Sequence, residues 1–285
     1  METSAPARSL STRFVAGETL EQALAVARKL NSEGISVTLD HLGESVSTLD
    51  EAAEARDVYL RTLDAIHHSG IQGNVSLKLT QFGLDLSFDH CLANVDQLAR
   101  RAAELNSFVR VDMESSEYVD RTLNLVHTLF SRHGTVGVVI QSYLYRSQDD
   151  VEKLCAEKIR VRLCKGAYLE PASVAFPEKA KVDQSYLNLS RYLLERGTYP
   201  ALATHDEAII RQTIAFAEER KIARDAFEFQ MLYGIRRDLQ DRLVKDGYRL
   251  RLYVPFGEAW YPYYMRRLAE RPANVFFMLR NLIRK

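Results

Sequence analysis

Two adjacent arginines near the C-terminus, Arg266 and Arg267, are the residues of this chain that most suggest chemistry. They stand in Tyr261-Pro262-Tyr263-Tyr264-Met265-Arg266-Arg267-Leu268-Ala269-Glu270, downstream of a strand-like run ending Tyr253-Val254-Pro255-Phe256-Gly257. If that stretch is helical, Tyr263, Arg266, Arg267 and Glu270 share one face. Neighbouring guanidiniums repel each other, so holding both on one face favours an anion between them. Two such forks can grip a small carboxylate or a phosphate. A solvated basic helix end is the alternative; the aromatic neighbours and the acid at Glu270 favour a site.

Three further groups could act on whatever that anion belongs to. Lys78 lies in Val75-Ser76-Leu77-Lys78-Leu79-Thr80, a lysine inside a buried-strand pattern, and therefore needs an anion beside it. Asp112, one strand on, is the natural partner, in a structural or a substrate-contacting pair; a Schiff-base role for Lys78 is also open. Arg162-Leu163-Cys164-Lys165-Gly166-Ala167-Tyr168 puts small residues after basic ones, so that backbone amides can approach a ligand phosphate or ring closely. In Ala203-Thr204-His205-Asp206, His205 could bind a metal, act as a base or hydrogen-bond a cofactor. The first strand offers only His41 and no His-x-His pair, so no metal is expected. His67, His68, His90, His127 and His133 fall on or near helix ends and read as solvent-facing.

The elements that must position these groups alternate. Strand-like runs occur at Ile35–Leu39, Val75–Leu79, Phe108–Met113, Val136–Gln141, Arg160–Cys164, Ala201–Thr204, Phe227–Leu232 and Arg249–Val254. Between them lie stretches of helical period. The first repeats Leu20, Ala23, Leu24, Ala27 and Leu30 on one face behind a Thr19-x-x-Gln22 capping box. Thr48-x-x-Glu51 opens a second, to about His67; others read as Phe88–Leu105, Glu117–Arg132, Gln148–Ala156, Val182–Glu195, Asp206–Glu219 and Ile235–Lys245. Such alternation calls for a parallel sheet, and eight units match an α/β fold of the (β/α)8 TIM-barrel type. An open doubly wound sheet is the alternative, but both usual glycine-rich phosphate loops are missing.

A barrel builds its site at the C-terminal ends of its strands. Polar residues fall there: Asp40 and Glu44, Lys78, Asp112 and Glu114, Gln141, Arg162 and Lys165, Thr204 with His205, Gln230, and Tyr253. The strand middles read as almost wholly apolar.

The 285 residues are 46% hydrophobic and 27% charged, with 38 basic against 38 acidic side chains. That is a globular composition, and its balance points to neither nucleic acid nor an anionic membrane surface. No apolar run approaches the roughly 20 residues of a spanning helix, and the N-terminus lacks a signal-type apolar region. Cys91, Cys155 and Cys164 form no CxxC pair, which suits a reduced, cytoplasmic protein. With no linker or repeat, residues 14–285 read as one domain, preceded by a disordered or residual segment over 1–13.

Taken in order, Ser76-Leu77-Lys78-Leu79-Thr80, Asp112-Met113-Glu114, Gln141-Ser142-Tyr143, Arg162 to Tyr168, Ala203-Thr204-His205, Phe227-Glu228-Phe229-Gln230 and Arg266 to Glu270 resemble proline dehydrogenase. The small monofunctional bacterial enzymes are the better likeness; the corresponding domain of bifunctional proline-utilization flavoenzymes shares the pattern. The resemblance covers the chain from about Phe14 onward. It implies a distorted (β/α)8 barrel holding noncovalent FAD, with the last helix over the mouth. It also implies oxidation of L-proline to 1-pyrroline-5-carboxylate, electrons passing to a quinone-type acceptor. By motif position, Arg266 and Arg267 would grip the proline carboxylate with Lys78, and Asp112 would lie beside Lys78. Tyr253, Tyr263 and Leu232 would shape the ring pocket, Glu270 would support the arginines, and Glu44 would pair with one of them in the closed site. Gln141, Arg162, Lys165, Gly166, Ala167, Thr204, His205 and the Met113 backbone would hold FAD, with Arg162 next to the flavin's reactive edge.

The family usually carries helices ahead of the barrel, so a shortened N-terminus is expected here, and oligomer contacts through that segment stay open. A lipid quinone as acceptor would bring peripheral membrane contact at the cytoplasmic face. Cys164 replaces a common valine, a neutral change in a packed strand. Two other classes stay open: a Schiff-base aldolase using Lys78 or Lys165, and a non-catalytic barrel that binds a small carboxylate.

Overall fold

Eight strands form where the eight strand-like runs lie: β1 Ser36–His41, β2 Gly73–Leu77, β3 Val109–Val111, β4 Val136–Gln141, β5 Val161–Cys164, β6 Ala201–Ala203, β7 Glu228–Leu232 and β8 Leu250–Phe256. Each pairs in parallel with the next, and β8 pairs with β1, so the sheet closes in the order of the chain. This is a computed structural model, and it describes residues 14–43 and 45–260. The readings made above for residues 1–13, Glu44, Tyr263, Arg266, Arg267 and Glu270 lie outside the described residues.

The helices between the strands are α1 Leu20–Ser32, α2 Leu49–His68, α3 Phe88–Glu104, α4 Val119–His133, α5 Ser147–Ala156, α6 Lys179–Arg196, α7 Glu207–Glu219 and α8 Arg237–Lys245. Both capping boxes form, with Gln22 and Glu51 reaching back to the amides of Thr19 and Thr48. Asp206 caps α7 through the amides of Ala208 and Ile209. The face of α1 that the period marks is the buried one, through Ala23, Leu24, Ala27 and Leu30. Among the described residues no helix is long and apolar enough to cross a membrane.

Strand ends shift by one or two residues from the sequence reading on most strands, and two of the shifts bear on the site. β2 stops at Leu77 because Leu79–Phe82 winds into a 3-10 turn whose Thr80 donates its amide and hydroxyl to the Glu114 carboxylate. Lys78 therefore sits on the strand's last corner. β8 runs on to Phe256, pairing along all of β1.

The larger correction concerns the strand middles, which are not wholly apolar. Arg110, Glu228 and Arg251 are charged strand residues, and the polar positions alternate: Asn74 and Ser76 on β2, Arg110 and Asp112 around β3, Glu228 and Gln230 on β7, Arg251 and Tyr253 on β8. Alternation puts them all on one face. Hydrogen bonds from Arg162 on β5 to Ser76 on β2, and from Arg251 on β8 to Asn74 on β2, join strands that are not neighbours. Such bonds can only cross the lumen. The barrel is thus lined with polar groups, while Val37, Leu39, Val75, Leu77, Phe229 and Leu252 bury the opposite face against the helices. Each such side chain contributes about 1.5–3 kcal/mol relative to exposure.

Candidate active site

The lumen holds two tiers of polar groups. In the lower one, Arg251 donates from Nε to Glu228 Oε1 at 2.8 Å and from Nη1 to the Val37 carbonyl at 2.8 Å and Asn74 Oδ1 at 3.1 Å. Gln230 and Tyr199 also donate to the Glu228 carboxylate. Burial pushes the Glu228 carboxyl up, but the Arg251 charge and these hydrogen bonds outweigh it and leave the group below its ordinary range.

The upper tier, at the C-terminal strand ends, gathers Asp112, Arg162, Ser76 and Tyr253. Arg162 Nη1 lies 2.9 Å from Asp112 Oδ1 and 3.2 Å from Ser76 Oγ, which itself donates to Asp112 Oδ1 at 2.5 Å. Tyr253 donates its hydroxyl to Asp112 Oδ2 at 2.8 Å, and its ring lies under the Arg162 guanidinium at 5.3 Å. Burial holds the Tyr253 phenol well above its ordinary range, so it remains a donor.

Lys78 corrects the sequence reading. Its ammonium lies 3.7 Å from Asp40 Oδ2, whereas both oxygens of Asp112 are engaged by Arg162, Ser76 and Tyr253. Asp40, which the strand-end pattern noticed without giving it a role, is fully buried and accepts from the Tyr59 hydroxyl at 3.2 Å. Burial raises its carboxyl above the ordinary range, against the pull of Lys78.

The remaining predicted residues surround this tier on the same end of the barrel. Gln141 is buried and donates to the Glu114 carbonyl at 2.8 Å, fixing the chain just after Met113, itself buried. Lys165 is held between Asp183 Oδ1 at 2.5 Å and Asp206 Oδ2 at 3.0 Å, so a ligand facing it meets an ammonium already anchored from behind. Gly166 has φ of +121°, and a Cβ there would lie 2.5 Å from the Tyr143 ring. Only glycine fits that backbone, which passes out to exposed Ala167. Thr204 is buried and accepts from the Asp206 amide at 3.1 Å. His205 Nε2 accepts the Leu232 amide at 2.9 Å, so the neutral ring carries its proton on Nδ1. The same bond ties Leu232, at the end of β7, to the end of β6.

A large conjugated anionic cofactor suits this donor set. Arg162 is 6% exposed, yet its Nε and Nη2 have no hydrogen-bond partner among the described residues. A buried guanidinium edge without acceptors is costly, and a ligand edge with two acceptors would complete it. The glycine cradle at Gly166 and the donors Lys165 and Gln141 fit the same guest.

Comparison with known proteins bears on the fold and the family. The chain is 40% identical to Proline dehydrogenase 2 of Bacillus subtilis over 98% of its own length and 92% of that protein. It is 43% identical to Proline dehydrogenase of Deinococcus radiodurans over 97% and 91% of the two lengths. Among solved structures, proline utilization A from Bdellovibrio bacteriovorus superposes with a TM-score of 0.86 at 27% identity, covering 92% of this chain. The chain spans about a third of that larger protein, 32% of its length. The family model described as proline dehydrogenase matches residues 23–280, from α1 through every strand and lumen group described above. The chain belongs to the proline dehydrogenase family.

Proposed function

We propose that this chain oxidises L-proline to 1-pyrroline-5-carboxylate on noncovalently bound FAD, the first step of proline catabolism, and delivers the electrons to a quinone-type acceptor. Family membership supports the reaction; the observation that carries the site is the buried edge of Arg162, whose Nε and Nη2 have no acceptor among the described residues. The flavin, when bound, supplies the hydride acceptor for the ring carbon next to the proline nitrogen. The residues of this chain bind and orient. Gln141, Lys165, Gly166, Ala167, Thr204, His205 and the Met113 backbone hold the cofactor, and Arg162 offers its charge where negative charge develops. Lys78 takes one side of the proline carboxylate, and Arg266 and Arg267 take the other. Tyr253 and Leu232, with Tyr263, shape the ring pocket, Glu270 supports the arginines, and Glu44 pairs with one of them on closure. Asp112 keeps Arg162 in register. Electron delivery to a lipid-soluble quinone would bring the cytoplasmic enzyme into peripheral contact with the inner face of the membrane.

The test is the visible spectrum of purified protein reconstituted with FAD, before and after L-proline is added without oxygen. Bleaching of the flavin bands is expected; a protein that takes up no flavin, or whose bands persist, contradicts the proposal.

Two substitutions probe its parts. Arg267→Met should raise the proline KM by about 10- to 150-fold, since a charge-assisted hydrogen bond is worth about 1.5–3 kcal/mol, and Arg266→Met should act alike. Steady-state kinetics that leave the KM of both variants unchanged would remove the clamp. Gly166→Ala strains a backbone at φ +121° and drives a methyl into Tyr143. At about 1–3 kcal/mol of strain, FAD affinity should fall at least about fivefold in a fluorescence titration, while the melting profile stays cooperative.

A further inference from the structure

Ser76 is completely buried on β2 and touches both members of the Asp112–Arg162 pair. Its single hydroxyl hydrogen goes to Asp112 Oδ1 at 2.5 Å, and its lone pair accepts from Arg162 Nη1 at 3.2 Å. With the direct Arg162–Asp112 bond at 2.9 Å, the three groups form a closed ring of hydrogen bonds spanning β2, β5 and the residue that follows β3. A single bond from Nη1 would leave the guanidinium free to roll about that contact. The second acceptor on another strand removes this freedom. Nε and Nη2, whose N–H bonds run parallel along one edge, are then held as the edge without a partner among the described residues.

The geometry points to Ser76 as a positioning residue that sets the roll of Arg162, and through it the affinity and electronics of the flavin. Ser76 does not touch substrate in this scheme; Lys78, two residues on, leaves the strand beside Asp40. The inference rests on the reading of Arg162 as the flavin's neighbour.

Ser76→Ala removes the hydroxyl at almost constant volume, and Ser76→Cys keeps the site filled while offering only a weak donor. Both variants should bind FAD about tenfold more weakly by fluorescence titration, an effect at the lower end of that of one charge-assisted hydrogen bond. Their bound flavin should have a more negative midpoint potential, because a misdirected cation stabilises the reduced form less. The proline KM should stay within about twofold, since the carboxylate ligands are elsewhere. Arg162→Lys serves as the reference. If it weakens FAD binding and the Ser76 variants do not, Ser76 has no positioning role and Arg162 keeps its own. If Arg162→Lys leaves affinity and potential unchanged, the placement of the flavin at Arg162 fails, and the role of Ser76 with it. A KM for proline that rises in step with the FAD dissociation constant would mark a general loosening of the barrel and overturn the proposal.

Discussion

Arg162→Lys is expected to leave a folded barrel that binds FAD about 10- to 150-fold more weakly and reduces it more slowly, because it exchanges a fork for a point charge. The choice of lysine matters. Asp112 is only 15% exposed on its side chain, and a neutral replacement would strand its carboxylate, so that lost stability and lost cofactor could not be separated. Lysine keeps a cation beside Asp112 and abolishes the parallel Nε and Nη2 donors. Those are the atoms buried without partners among the described residues. Titrating apoprotein with FAD and following the anaerobic reduction rate read the two consequences independently. Wild-type affinity with a wild-type rate would show that the edge faces something other than the flavin.

Most of the architecture was legible in the chain because each strand falls on a short β-branched or apolar run and the first two helices open on capping boxes. Thr19 and Thr48 cap as their spacing predicts, while Asp206, read as the first residue of its helix, is the cap itself. What the sequence reading missed follows from weighing strand residues by position along the strand rather than by parity. Asn74 and Ser76, Arg110 and Asp112, Glu228 and Gln230, Arg251 and Tyr253 are pairs two apart, a period-2 signal for a polar lumen. Reading only the strand ends found Asp112 and Tyr253 and passed over Ser76, Arg110, Glu228 and Arg251. The partner of Lys78 was misassigned for a different reason. Adjacency in the chain order of strands made both neighbours of β2 candidates, Asp40 on β1 and Asp112 after β3, and spacing alone does not choose between them. The choice was made by Arg162 and Tyr253, which reach across the lumen and occupy Asp112. Such cross-barrel bonds depend on side-chain length and strand tilt, neither of which a one-dimensional pattern carries. The arginine pair that opened the sequence reading lies outside the described residues, and the kinetics of its variants are its test.

The lower tier yields the largest expected effect on stability. Arg251→Met should cost about 3–5 kcal/mol, the usual penalty for leaving one member of a buried ion pair behind. Glu228 is 4% exposed, and the substitution removes the cation bonded to it together with the bond to the Val37 carbonyl on neighbouring β1 and the cross-lumen bond to Asn74. Arg110 remains within electrostatic reach of Glu228 and sets the lower end of the range. The pH dependence has a definite sign. In the wild type, the Glu228 carboxyl is held below its ordinary value, so its contribution is full above the unfolded carboxyl range and is lost only as pH falls through the lower folded value. In the variant, burial without Arg251 pushes the same carboxyl up. Its penalty is then greatest at neutral pH and shrinks as acid protonates it. The difference in Tm between wild type and Arg251→Met should therefore be widest near pH 7 and narrow toward about pH 5. Adding Glu228→Gln to Arg251→Met removes the stranded charge and should recover part of the loss at neutral pH while changing little in acid. Thermal melts of the two variants across that pH range decide the matter: a gap that is constant with pH would assign the loss to packing around the arginine stem and not to the carboxylate it leaves behind.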